Sequence, residues 1–211
     1  MTARRWRAIV GTLALAALAI TPSAPGLASQ AGTPQWVRTG GPLGGLGYDV
    51  RMSPDDPDLM YVTDAWAGVF RSEDGGATWI PSSQGIMART GPSGDGIPIF
   101  SLTIDPHDPS ILWSGTQGIR GIYRSGDGGL TWTEMVQGVT EANGITFRGF
   151  TVDPRSSDIV YAAAELASWV WAGTEMPGRE FDMTGGVVYK TTDGGAHWTA
   201  VWRGDNLARY V

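Results

Sequence analysis

Short apolar runs alternate with polar, glycine-rich turns along most of this chain, and the runs return at a regular interval. Val50 to Val62 (VRMSPDDPDLMYV), Leu102 to Ser114 (LTIDPHDPSILWS) and Phe150 to Ala162 (FTVDPRSSDIVYA) each read as an apolar strand, a Pro-bearing polar turn and a second apolar strand. Pro54, Pro106 and Pro154 lie 52 and then 48 residues apart. Further along each unit a β-branched or aromatic strand end (Val69-Phe70, Ile122-Tyr123, Val188-Tyr189) enters a second turn, and Trp followed by a polar strand leaves it, which is the pattern of a β-hairpin. Each unit thus holds four strands within about fifty residues, the size of one β-propeller blade. The predicted fold is all-β: a β-propeller arc of three four-stranded antiparallel blades at 46–98, 99–147 and 148–206, with partial blades at both ends.

The second turn has one form three times: RSEDGGATW (Arg71 to Trp79), RSGDGGLTW (Arg124 to Trp132) and KTTDGGAHW (Lys190 to Trp198). Asp74, Asp127 and Asp193 are placed to accept hydrogen bonds from N–H groups of their own turns, and the glycine pairs ending in Gly76, Gly129 and Gly195 supply positive φ. Ser72, Ser125 and Thr191 are expected to add a second side-chain bond, with Trp79, Trp132 and Trp198 folding back over the turn. All are read as structural, because a catalytic role would need the same acid chemistry at three separate places.

This turn resembles the Asp-box, or bacterial neuraminidase repeat. Together with the Asp-Pro block, GVFRSEDGGATW is similar to xyloglucanases, sortilin-type receptors and photosystem II assembly factors, over residues 46 to 211. The resemblance implies a propeller and leaves activity open, since hydrolases and non-enzymes share the turn. In the third copy His197 stands where Thr is usual, which puts one turn hydrogen bond in question.

The ends extend the pattern. Gln35 to Gly41, with Trp36, resembles the strands that follow the Asp turns, so 29–45 is read as an N-terminal segment with a ring-closing strand, and 207–211 as the start of a further blade. A closed propeller takes about four to eight blades, so the chain is expected to be the N-terminal part of a longer protein whose remaining blades complete the ring. Arg4, Arg5 and Arg7, an apolar run from Ala8 to Ile20 and small residues up to Ala28 make 1–28 a predicted secretory signal, hence a secreted or periplasmic protein with no membrane attachment after cleavage. An uncleaved anchor is the other reading, although thirteen apolar residues are short for a span. Removing those three arginines takes the formal charge from −6 to −9, which argues against nucleic acid as a partner. There is no cysteine, and His107 and His197 are the only histidines, both in turns; no metal site is expected, and hydrolysis of a glycan would need no cofactor.

In a four-stranded meander the Pro and Asp turns share one face, leaving the other for variable loops. These include Asp64 to Gly68, Gly85 to Pro98, Thr116 to Gly121, Thr140 to Arg148 and the long Glu165 to Gly185 insertion. They gather acids, arginines and indoles suited to sugar rings. Asp64, in YVTDAWAGVFR, resembles the Thr-Asp at the first-blade loop of xyloglucanases, where one of two catalytic aspartates sits; the other reading is an Asp that caps its own loop. Glycoside cleavage needs a second carboxylate, about 5 to 5.5 Å away for retention or about 6.5 to 9.5 Å for inversion, and by resemblance it belongs to a later blade. Asp95, between Gly94 and Gly96, reads as a turn residue. Trp66, Trp169 and Trp171 are candidate platforms, the last two alternating with Val170 so that both face one side of a strand, toward ligand or a neighbouring blade. Arg148 is either a channel-facing ligand contact or a salt-bridge partner. The function expected is an exported propeller that binds or hydrolyses extracellular glycan; the alternative is a non-enzymatic scaffold holding a protein or peptide on the same loops.

Overall fold

The structure is a computed structural model in which Gly41 and residues 47–167 and 183–204 are described. Among the described residues twelve strands form three four-stranded sheets in chain order. The first comprises β1 (Gly47–Met52), β2 (Met60–Asp64), β3 (Gly68–Ser72) and β4 (Ile80–Pro81). The second comprises β5 (Ile99–Ile104), β6 (Leu112–Thr116), β7 (Ile122–Ser125) and β8 (Thr133–Glu134). The third comprises β9 (Ile145–Asp153), β10 (Ser156–Ala167), β11 (Met183–Thr191) and β12 (Thr199–Gly204). Every neighbouring pair is antiparallel. These are blades of a β-propeller arc, as the repeat period predicts. The Trp36 strand and Leu207 to Val211 lie outside the described residues.

The core lies between blades rather than within them. One buried cluster joins Tyr61 and Val69 of the first blade to Leu102, Leu112, Tyr123 and Trp132 of the second; another joins Trp113, Ile122 and Val139 to Phe147, Phe150, Val160, Tyr189 and Trp198 of the third. Neighbours along a strand point to opposite faces, so Leu112 enters the first cluster while Trp113 enters the second, and Tyr123 and Ile122 divide likewise. Val50 is 58% exposed where Leu102 and Phe150, at the same place in the next two blades, are 1% and 7% exposed.

The three Asp turns are near copies. Ser72 Oγ donates to Asp74 Oδ1 (2.8 Å) and accepts from the Gly76 N–H (2.9 Å), while the Thr78 N–H and hydroxyl donate to the two Asp74 oxygens at 2.8 and 2.5 Å. Ser125, Asp127, Gly129 and Thr131 repeat the set, and so do Thr191, Asp193 and Gly195. In the third turn His197 Nδ1 stands 2.8 Å from Asp193 Oδ2, so the imidazole supplies the bond that a Thr hydroxyl makes elsewhere. These bonds favour the ionised carboxylate. The side-chain bond from Thr78 leads in holding Asp74 down at about 2, and that from His197 does the same for Asp193.

The tryptophans differ from expectation. Trp79 Nε1 does donate to its own turn, at Gly76 O (3.0 Å). Trp132 and Trp198 instead plug the seam to the preceding blade. The Trp132 indole N–H donates to Ser82 O at 2.7 Å and the main-chain N–H of Trp132 to Gln84 O at 2.9 Å. The Trp198 ring meets Trp113 edge to face at 5.8 Å, and the main-chain N–H of Trp198 donates to Gln137 O at 2.8 Å. Burying a large ring between two sheets removes far more apolar surface from water than covering a polar turn.

Candidate functional site

Asp64 closes β2 and pairs with Gly68, the first residue of β3. It is 3% exposed, and its Oδ1 accepts the N–H groups of Trp66 (2.8 Å) and Ala67 (2.9 Å). A carboxylate bonded two and three residues ahead is a loop cap, and this cap fixes the turn from which the side chain two residues on projects. That side chain is Trp66, 48% exposed at the tip.

The indole rests on a bed made for it. The segment from Ile86 to Pro98 folds back as a small hairpin in which Thr90 and Gly96 exchange main-chain bonds of 2.8 and 3.1 Å, and the Ile97 N–H donates to Trp66 O at 2.8 Å. A methyl group on Gly91 would come within 2.5 Å of the Trp66 ring, and one on Gly96 within 2.9 Å. Only hydrogen at these two positions admits the ring. Arg89 steadies the hairpin from within, its guanidinium donating to Ile86 O and Ala88 O at 2.7 and 2.8 Å. Asp95 at the hairpin tip takes the Ser93 hydroxyl, which holds its carboxyl below the usual range.

Arg148 lies on β9, away from Asp64 in sequence, and forms a 2.7 Å ion pair with Glu165, whose side chain is fully buried. Its guanidinium carbon also sits 4.2 Å above the Phe100 ring. Glu165 opens the long insertion of the loop face, whereas Phe100 lies on a strand outside those loops; its one sequence signal is its place 48 residues before Arg148. A second cluster joins the outer strand of the third blade to the loop before it: Glu141 accepts from Tyr189 and Arg203, and Arg203 also donates to Thr140 Oγ1 and Tyr189 Oη at 3.0 Å each. Burial pushes the Glu141 carboxyl up, yet the bonds from Arg203 and Tyr189 outweigh it and leave it lowered. Trp169 and Trp171 lie outside the described residues. Among the described residues no three acids or histidines converge as a metal site.

A xyloglucanase of Paenibacillus sp is 30% identical to the chain over 162 residues, covering 70% of this chain and 15% of the relative. The chain is similar to the propeller xyloglucanases. An oligoxyloglucan-reducing end-specific xyloglucanase of Emericella nidulans is 30% identical over 164 residues, covering 72% of this chain and 17% of its own. The crystal structure of an ancestral GH74 enzyme superposes with a TM-score of 0.56 at 18% identity, over 79% of this chain and 19% of that one; this likeness concerns the fold. No protein-family model matches. The chain therefore spans less than a fifth of the length of these xyloglucanases.

Proposed function

We propose that the chain binds a glucan of the xyloglucan type on the loop face of a xyloglucanase-like propeller, with export directed by residues 1–28 and the three Asp turns serving as Asp-box clips of the scaffold. The observation that carries this reading is the Trp66 indole, half-exposed and seated on Gly91 and Gly96. The C–H face of a pyranose stacks on an indole while its hydroxyls reach polar neighbours, and a large apolar ring held out in water by a dedicated bed is suited to that contact. The sequence similarity to xyloglucanases supports the choice of glucan. In this reading Asp64 acts first by holding the platform, since its Oδ1 takes the N–H groups of Trp66 and Ala67.

Native electrophoresis through a gel containing soluble xyloglucan tests the proposal. The wild-type chain is expected to be retarded and Trp66→Ala to run as in a gel without glucan. A wild-type mobility that ignores the glucan overturns it. Asp64→Asn keeps an acceptor for both N–H groups and is expected to bind as wild type. Hydrolysis by the wild type that is lost in Asp64→Asn would add an acid/base role, which needs the charge and not only the cap.

A further inference from the structure

The innermost strands of the three blades share one irregularity. The β1–β2 register slips between Gly47 and Asp49, β5–β6 between Ile99 and Ser101, and β9–β10 where Ala163 pairs with Gly149 but Ala164 with Phe147. Tyr48, Phe100 and Arg148 are the residues left over, and their spacing of 52 and 48 is that of the three Pro turns. A bulge re-aims the side chain it extrudes. Here the three extruded side chains meet across two blade boundaries: the Tyr48 and Phe100 rings are 4.3 Å apart at 30°, and the Arg148 guanidinium lies over Phe100.

The stack begins beside the platform turn, because Gly47, the residue before Tyr48, pairs with Asp64. It ends on the Arg148–Glu165 ion pair, in which the buried carboxylate offsets the guanidinium charge. Phe147 and Phe150, neighbours of Arg148 on β9, are 0% and 7% exposed, whereas the Arg148 side chain is 26% exposed; Tyr48, at 36%, is the least exposed of the large apolar side chains of β1, where Val50 and Met52 are 58% and 54% exposed. A surface of π faces closed by a charge-balanced pair of hydrogen-bonding groups suits a neutral polyhydroxylated ring better than an anion.

We infer that Tyr48, Phe100 and Arg148 form a second sugar subsite, taking a neutral pyranose of the same glucan chain whose neighbour stacks on Trp66; this rests on the glucan-binding reading above. Tyr48 supplies the stacking face, Phe100 backs it, and Arg148, positioned by Glu165, donates to sugar hydroxyls.

Isothermal titration of the full-length chain with a xyloglucan heptasaccharide tests the subsite. Tyr48→Ala and Tyr48→Leu are expected to bind about five- to tenfold more weakly with thermal midpoints near wild type, while Tyr48→Phe binds as wild type. Leucine keeps apolar packing and removes only the π face, so wild-type affinity in Tyr48→Leu overturns the subsite. If Trp66→Ala loses binding and both Tyr48 variants keep it, the platform stands and the subsite falls. If the wild-type chain gives no heat with the heptasaccharide, the glucan reading itself fails and the subsite with it.

Discussion

The joint between blades makes a quantitative prediction at Gly85. This residue has φ +91°, and a methyl group there would stand 2.1 Å from Trp132 O, a main-chain atom of the next blade. Gly138 repeats the arrangement at φ +93°, 2.0 Å from Trp198 O. In Gly85→Ala the Trp132 carbonyl must retreat by more than 1 Å to reach ordinary contact. The adjoining bond from the Trp132 N–H to Gln84 O, 2.9 Å long, moves with it. Left-handed backbone costs a non-glycine residue about 1 to 2 kcal/mol, the lost bond about 1 kcal/mol, and repacking the buried indole about 1 to 3 kcal/mol. The sum is about 3 to 6 kcal/mol, a large part of the stability of a typical domain. Gly94→Ala is the control: φ there is +72° with nothing within 4 Å of the added methyl, so only the backbone term of about 1 to 2 kcal/mol remains. Urea unfolding followed by tryptophan fluorescence measures both. A Gly85→Ala variant no less stable than Gly94→Ala would refute the argument that the Gln-Gly and Trp elements lock successive blades.

Other perturbations probe separate parts of the account. Arg148→Met strips the buried Glu165 carboxylate of its ion-pair partner and should cost about 3 kcal/mol in chemical denaturation, much of it recovered when Glu165→Leu is added; equal stability of single variant and wild type would show that the pair is immaterial. Tyr189→Phe removes the hydroxyl bonded to Glu141 and Arg203 and should lower stability by about 1 to 2 kcal/mol, whereas an unchanged urea midpoint would contradict that. The carboxyl of Asp193 is held at about 2 by His197 first and the turn N–H second. Because the folded value lies below the unfolded one, its contribution is complete above about pH 4 and is lost as pH falls through about 2. Acid unfolding of Asp193→Asn should therefore be flatter than wild type between those values, and superimposable curves would count against the turn's carboxylate chemistry.

Much of the fold was legible because its cause is local. Apolar runs of strand length, a Pro turn and an Asp turn per unit leave little choice but four antiparallel strands, and three such sheets are present. What the linear pattern concealed is long-range. The indole of Trp132 bonds a carbonyl fifty residues earlier, so its destination depends on how one blade sits on the next and not on the turn that carries it. The bulge stack is hidden for a similar reason: Tyr48, Phe100 and Arg148 differ in chemical type, and only the slipped registers place them side by side. His197 was a departure when residue types were compared, yet its Nδ1 reaches the atom a Thr hydroxyl would, since hydrogen-bond geometry and not identity is what the turn requires. Of the two readings of Arg148, the structure shows the salt bridge, to Glu165, and leaves the side chain partly open to water.

The most direct test of glucan binding on the loop face is amide hydrogen exchange of the full chain with and without xyloglucan oligosaccharide. The account predicts added protection in residues 64–67 and 86–98, around Trp66 and its bed, and unchanged exchange in the three Asp turns on the opposite face. Protection concentrated at the Asp turns, or none anywhere at saturating oligosaccharide, would contradict it.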